Sequence, residues 1–246
     1  MTTRLSLPVG VGVALVTMFD DRGVPDPGAT AARARACVAL GVSSVLVAGT
    51  TGEAARLRAD DRLLLAEAVK GVVTSVPVIV GTGASDELTA LEWTGKVAAA
   101  GVADALLVFA PADREPAGFF DRVRDASSGV PVLAYHNPAL VSRSLDTASF
   151  PSLDVDGVKD SSADTSRLAD LVELGVRVYV GSPTQLALAG GCGAAGALLA
   201  LANVAPSLCI AAWNGDMGAQ RALFAIRRRA AADALGFLKA TAPDAR

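Results

Sequence analysis

The sequence predicts an α/β fold, a closed (β/α)8 TIM barrel, from three observations. Short apolar runs alternate with amphipathic stretches along the chain, which is typical of a parallel sheet. Eight such runs can be counted, the number that closes a barrel of this kind. The length of 246 residues is close to the usual size of one barrel. An open, doubly wound sheet is the structural alternative.

The eight apolar runs are predicted to be strands, because buried parallel strands read as near-continuous apolar segments. In chain order they cover residues 11–17, 44–48, 76–81, 105–110, 130–135, 155–159, 176–181 and 193–199. No linker or change of composition separates them. We therefore expect one domain, with residues 1–213 as the barrel and residues 214–246 as a C-terminal helical extension of the same domain.

The segments between the runs are predicted to be helices. The stretch 85–100 begins at the capping candidate Ser85 and ends before Gly101, since Ser favours the start of a helix and Gly its end. After the eighth strand, helical stretches are expected near residues 206–213 and 216–235.

Composition excludes several classes of protein. Hydrophobic residues make up 52% of the chain and charged residues 19%, which is too apolar for a disordered protein. The net charge of -3 without a basic patch argues against a nucleic-acid partner. The chain contains no uninterrupted apolar run of about 18 residues, so no membrane span is predicted. The apolar stretch 9–16 contains glycines and is interpreted as a strand rather than a signal peptide, so we expect a cytoplasmic protein.

Cysteine and histidine usage argues against a metal centre. Cys37, Cys192 and Cys209 are widely spaced and odd in number, which is typical of small buried side chains in a reducing compartment. His136 is the single histidine, so no multi-histidine metal site is predicted.

Lys159 is the most informative polar residue. Active sites of barrels lie at the C-terminal ends of the strands, and Lys159 closes the sixth apolar run. A lysine that points into a barrel is costly unless it is used or paired. Desolvation favours the neutral amine, which is the form that attacks a carbonyl. The alternative is an exposed lysine past the strand end, paired with Asp160, and the pattern alone does not choose between them.

Two further strand ends carry candidate groups. Tyr135 closes the fifth run and is either a half-buried aromatic with a satisfied hydroxyl or a proton-transfer group. Residues 49–53 follow the second run and offer the hydroxyls of Thr50 and Thr51 together with backbone amides. They suit a carboxylate, although a loop with an ordinary threonine cap has the same pattern. Glu53 is interpreted as stabilising the following turn.

Three segments together resemble the dihydrodipicolinate synthase / N-acetylneuraminate lyase family of class I aldolases. The first is VLVAGTTGE at residues 45–53. The second is YHNP at 135–138 followed by GVKDS at 157–161, and the third is ANVAP at 202–206. The resemblance extends over residues 10–213.

The resemblance implies a metal-independent carbon–carbon lyase that needs no cofactor. Pyruvate or a related 2-keto acid would condense with the amine of Lys159, and the iminium would act as an electron sink when a C–C bond forms or breaks. Tyr135 would relay protons. The substrate partners would be a small 2-keto acid and an aldehyde. Four positions match family residues that bind the keto acid, namely Thr50, Thr51, Gly181 and Leu198.

The sequence also departs from the family pattern. Family synthases carry a tyrosine pair after the fourth strand, whereas residues 109–114 contain no tyrosine. Leu140 stands where they carry an arginine for the second substrate, and whether Arg143 substitutes is open. Asn137 occupies a position that is usually apolar. The C-terminal helical region is shorter than in the family.

These departures argue against the lysine-biosynthesis reaction and against the usual tetramer. Dihydrodipicolinate synthase proper and a non-catalytic keto-acid-binding descendant are the alternatives to an active lyase with a different aldehyde. Self-association into a homo-oligomer is left open.

Overall fold

The computed structural model describes residues 7–140 and 145–244, and within these ranges parallel strands close into one barrel. The strands follow each other in chain order, and the last pairs with the first through Val13 and Leu199. They are Gly10–Ala14 (β1), Val45–Val47 (β2), Val78–Gly81 (β3), Ala105–Val108 (β4), Val132–His136 (β5), Gly157–Asp160 (β6), Val178–Val180 (β7) and Gly196–Leu199 (β8). The predicted barrel is confirmed, and the open sheet is excluded because β1 and β8 leave no free edge.

Helices cover the outside of the barrel. They are Pro27–Ala39 (α1), Ala59–Val72 (α2), Glu87–Ala100 (α3), Pro116–Ala126 (α4), Thr165–Glu173 (α5), Leu186–Gly191 (α6), Pro206–Trp213 (α7), Met217–Ala230 (α8) and Ala234–Ala240 (α9). Between β5 and β6 the described connection contains a 3-10 turn at Thr147–Ser152 instead of an α-helix. Within the described ranges no helix is both long enough and apolar enough to span a membrane.

Two predicted helix boundaries were wrong. Asp86, not Ser85, caps α3, because its carboxylate accepts the backbone N–H of Thr89 at 2.9 Å. Serine and aspartate are both good N-caps. Asp86 caps the helix because it lies three residues before Thr89, whose backbone N–H it accepts. The stretch 216–235 is not one helix. It breaks after Ala230, and Asp233 caps α9.

The core has an inner and an outer layer. The inner layer fills the barrel with alternating side chains of the strands, as expected for a packed barrel. It contains Ala14, Leu46, Ile79, Leu107, Leu133, Tyr135, Tyr179 and Leu198. The outer layer lies between the strands and the helices, with Phe119 and Leu171 among its fully buried members. Each strand thus presents residues to both layers, and Tyr135 stands on the inner one.

Candidate active site

Lys159 lies inside the barrel. It is a residue of β6, pairs in register with Tyr135 of β5 and Tyr179 of β7, and is 4% exposed. Its Nζ lies 4.6 Å from the centroid of the Tyr135 ring. Burial lowers the pKa of Lys159, and the nearby Tyr135 only partly offsets this. The amine is therefore shifted toward its neutral, nucleophilic form.

Lys159 is not an exposed lysine paired with Asp160, which was the alternative that the sequence left open. Asp160, the expected partner of an exposed lysine, is itself buried, and its carboxylate binds Arg167 Nε at 2.6 Å. Arg167 also donates to Thr147 Oγ1 at 2.8 Å. This pair holds the segment after β6 and leaves Lys159 without a carboxylate partner among the described residues.

Tyr135 makes a short chain of polar contacts at the end of β5. Its phenol oxygen lies 3.3 Å from Thr50 Oγ1 and accepts a hydrogen bond from Asn137 Nδ2 at 2.8 Å. Burial raises the pKa of Tyr135, but the charge of Lys159 and the hydrogen bonds from Thr50 and Asn137 outweigh it, so the pKa lies below its ordinary value. The ring faces the amine and the hydroxyl faces the loop after β2.

That loop carries the predicted carboxylate-binding residues. Thr50–Gly52 forms one 3-10 turn, and Thr17 Oγ1 donates to Gly52 O at 2.7 Å. Thr51 is half-buried, and its hydroxyl has no hydrogen-bond partner among the residues that the structure describes. The Thr51 hydroxyl is therefore available to donate a hydrogen bond to an oxygen atom of a ligand.

Arg62 of α2 holds both ends of the loop. The guanidinium is almost fully buried, and it donates to the carbonyl oxygens of Ala48 at 3.2 Å and Ala54 at 2.8 Å, on either side of the loop. It also donates to Gly81 O of β3 at 2.6 Å. Burial lowers the pKa of Arg62 to about 10. Its Cζ lies 4.1 Å from the centroid of the Trp93 ring.

Sequence reasoning missed Arg62, although one signal was present. Arg62 shares the buried face of α2 with Leu65, Ala66 and Val69. That spacing places it in phase with the apolar stripe that faces the core. A charged residue in phase with such a stripe must find polar partners, and the loop carbonyls supply them.

Glu53 ends the loop and binds two cations. Its carboxylate accepts from Arg56 at 2.6 Å and from Lys239 of α9. Lys239 Nζ also lies 4.7 Å from the centroid of the Phe19 ring. Arg33 of α1 donates to the backbone of α9 and to Thr241 O just after it. The last described helix is thus fixed against the loop, a contact that the sequence did not indicate.

The remaining predicted residues lie around this group. Leu198 of β8 is buried in the same inner cluster as Tyr135. Gly181 follows β7, and its N–H donates to Asp160 O at 2.6 Å. A Cβ at Gly181 would overlap Ser161 Oγ, so the close approach requires glycine. Arg143 lies outside the described residues.

Tyr135 therefore contacts both Lys159 and Thr50, while Thr51 shares the loop of Thr50 and Gly181 follows β7. Beside them opens a cavity of about 400 Å³ that extends toward α3. Its described lining is Thr50, Glu53, Ala54, Ala55, Arg62, Gly83, Ala84, Ser85, Asp86, Thr89, Trp93, Phe109, Tyr135, Asn137 and Leu140. The cavity thus reaches from Tyr135 at the end of β5 to Trp93 of α3.

His136 has a structural role. It is buried, and its Nδ1 accepts the backbone N–H of Leu145 at 3.3 Å. Burial and the neighbouring Arg167 lower its pKa, which favours the neutral ring. Across the described ranges, no three side chains of the His, Cys, Asp or Glu type form a group that could hold a metal ion.

The chain is similar to known proteins of one family. The model of the dihydrodipicolinate synthetase family matches residues 7–223. A 4-hydroxy-tetrahydrodipicolinate synthase of Pseudomonas aeruginosa is 31% identical over 233 residues, covering 87% of this chain and 78% of the relative. The enzyme of that name from Thiobacillus denitrificans is 33% identical over 239 residues, covering 89% and 79%.

A solved structure extends the likeness to three dimensions. A prophage protein of the dihydrodipicolinic acid synthase family from E. coli, crystallised in complex with pyruvate, superposes with a TM-score of 0.85 at 26% identity. The match covers 95% of this chain and 87% of the other. These findings confirm the predicted class of enzyme, a carbon–carbon lyase of the aldolase type, and the chain belongs to the dihydrodipicolinate synthetase family.

Proposed function

We propose that this protein binds pyruvate or a related 2-keto acid as an imine on Lys159 and then makes or breaks a C–C bond to an aldehyde. The observation that carries the proposal is the buried Lys159 amine, lowered in pKa and set against the Tyr135 ring. The complex of a related structure with pyruvate supports the choice of keto acid.

The reaction follows from the neutral amine. Lys159 Nζ adds to the C2 carbonyl, and loss of water gives an iminium. Removal of a C3 proton gives an enamine, whose C3 attacks the aldehyde carbon. In the cleavage direction, the C4 hydroxyl gives up its proton, the C3–C4 electron pair flows into the iminium, and the aldehyde leaves. The resulting enamine takes a proton at C3, and hydrolysis of the iminium releases the keto acid and restores the lysine.

Tyr135 is the proposed proton carrier. Its hydroxyl lies 3.3 Å from Thr50 Oγ1, and the centroid of its ring lies 4.6 Å from Lys159 Nζ. A phenol with a lowered pKa can give and take the proton of the carbinolamine and of the aldehyde oxygen. The proposed cradle for the keto-acid carboxylate is Thr50, Thr51 and the amides of their loop, which Arg62 keeps in place.

Borohydride trapping tests the proposal. With pyruvate and borohydride, the intact mass should rise by one reduced adduct, and peptide mapping should place it on Lys159. Lys159→Ala should abolish the adduct, whereas Lys96→Ala, which removes an exposed lysine paired with Glu92, should not. An adduct on another lysine with Lys159 unlabelled would contradict the proposal.

The names of the curated relatives favour one second candidate, 4-hydroxy-tetrahydrodipicolinate synthase activity. Leu140 and the loop after β4 argue against it, since Leu140 offers no cation to a second carboxylate. Self-association and a cytoplasmic location stay predictions.

A further inference from the structure

We propose that the cavity beside Tyr135 selects an uncharged, mainly apolar aldehyde, with room for an aromatic ring, as the second substrate. The inference rests on the proposed function, because it concerns the aldehyde that meets the enamine. It goes beyond that function by naming the chemical class of the partner.

The position of the cavity supports this role. Thr50, Tyr135 and Asn137 belong to its lining, so a guest there lies beside Tyr135, whose ring contacts Lys159 and whose hydroxyl is proposed to serve the aldehyde oxygen. Its volume of about 400 Å³ lies in the range of small-molecule sites, which is roughly 300–1,000 Å³. This leaves space well beyond the reacting carbonyl group.

The walls of the cavity are mostly apolar. Trp93 and Phe109 are half-buried aromatic side chains of the lining, and Ala84 adds a small apolar one. Leu140 lies at the rim and is 54% exposed. Such walls favour burial of an apolar group, and an aromatic ring gains further from stacking on Trp93.

The charged groups of the described lining disfavour a second carboxylate. The charged residues of this lining are Glu53, Asp86 and Arg62. Glu53 is already paired with Arg56 and Lys239, and Asp86 caps α3. Arg62 already donates to the carbonyls of Ala48, Gly81 and Ala54. The described lining therefore offers no unengaged cation to a second carboxylate, which would lose its hydration in the cavity, whereas a neutral guest avoids that cost.

A matched pair of aldehydes tests the class. Benzaldehyde and 4-carboxybenzaldehyde share one ring and differ in one carboxylate. With pyruvate as donor, we expect kcat/KM for aldol addition to be at least about tenfold higher for benzaldehyde, a preference worth about 1.4 kcal/mol. Equal or better use of 4-carboxybenzaldehyde by the unmodified protein would overturn the proposal.

Two variants and a matched control link the preference to the cavity. Leu140→Arg places a cation at the rim and should shift the ratio of the two kcat/KM values at least about fivefold toward 4-carboxybenzaldehyde, while pyruvate trapping stays unchanged. Leu188→Arg makes the same change at an exposed leucine of α6 and should leave the ratio unchanged. Ala84→Leu narrows the cavity and should lower kcat/KM for benzaldehyde. An unchanged ratio in Leu140→Arg would contradict the assignment.

A binding measurement separates this inference from the proposed function. In a Trp213→Phe background Trp93 is the remaining tryptophan, and its emission should respond to benzyl alcohol but not to 4-carboxybenzyl alcohol. Absence of trapping by pyruvate would defeat the proposed function, whereas absence of this response would defeat the cavity assignment.

Discussion

Asn137 donates a hydrogen bond from its side-chain amide to the phenol oxygen of Tyr135 at 2.8 Å. Asn137 Oδ1 accepts the backbone N–H of Ala139 at 3.1 Å, so the amide group is fixed with its N–H side toward the tyrosine. A donor at this oxygen stabilises the phenolate more than the phenol. Asn137 thus assists the ionisation of the group proposed to move protons.

The first prediction concerns Asn137→Val, which removes this donor. The pKa of Tyr135 should rise, and exchange of the methyl protons of pyruvate should slow by about tenfold, from the loss of a hydrogen bond worth about 1.5 kcal/mol. Ultraviolet titration of the phenols measures the pKa. Burial raises the pKa of Tyr179, the other tyrosine. In the titration, Tyr135 should therefore ionise at a lower pH than Tyr179.

Tyr179→Phe supplies the control, because it should remove the ionisation at higher pH and leave the ionisation of Tyr135 at lower pH in place. If Asn137→Val leaves the ionisation at lower pH where it was, the hydrogen bond does not tune Tyr135.

The second prediction is that Thr51→Val weakens pyruvate binding and leaves the fold intact. Loss of one hydrogen bond to a charged carboxylate should cost about 1.5–3 kcal/mol. The half-maximal pyruvate concentration for trapping measures this. Thr74→Val, at an exposed position after α2, should change nothing. Unchanged affinity in Thr51→Val would mean that this hydroxyl is not part of the cradle.

The third prediction is that Lys159→Met stabilises the fold at neutral pH by about 0.5–2 kcal/mol, as is common when a functional site is relaxed. The folded state lowers the pKa of Lys159, so between that pKa and the ordinary value of 10.5 the unfolded state binds more protons. Stability of the unmodified protein therefore rises with pH through this window.

The advantage of Lys159→Met should accordingly be largest at low pH and shrink as the pH approaches 10.5. Urea unfolding at several pH values measures it. Lys96→Met gives the comparison, since Glu92 raises the pKa of the exposed Lys96 and its loss should not stabilise. A Lys159→Met protein less stable than the original at neutral pH would refute the desolvation argument.

The fourth prediction is poor turnover of aspartate semialdehyde. Leu140 gives no bidentate partner to the semialdehyde carboxylate, and Ala112 and Asp113 supply no phenol to its proton relay. We expect a coupled assay to show kcat/KM below about 10⁴ M⁻¹s⁻¹, with pyruvate trapping intact. A higher value would show that other groups of this chain or of a second copy replace the missing ones.

The fold could be predicted from hydrophobic periodicity, because strand and helix repeats are local properties of the sequence. The same pattern singled out Lys159, since a lysine interrupted an apolar strand, but it left open whether the side chain faces the barrel interior or the solvent. Arg62 and Asn137 were not assigned roles. A helical repeat indicates that Arg62 faces inward, but not that the carbonyls of Ala48 and Ala54 will lie in front of it.

The cavity could not be predicted either. It forms where loops after several strands meet α3, and its shape depends on packing between side chains such as Trp93 and Phe109 that are distant in sequence. The position of strand ends follows from the pattern, but the space between them does not.

The pairing of Glu53 with Lys239 spans 186 residues, and this separation affects how the molecule matures. Glu53 leaves the ribosome long before Lys239, so the loop is synthesised without its second counter-charge. Contacts between such distant residues form late, because the chain between them must first be ordered. The barrel can therefore close before the loop at residues 49–53 gains its contact with α9. We expect a nascent chain that ends before α9 to be folded but more easily cleaved by proteases near residues 49–56.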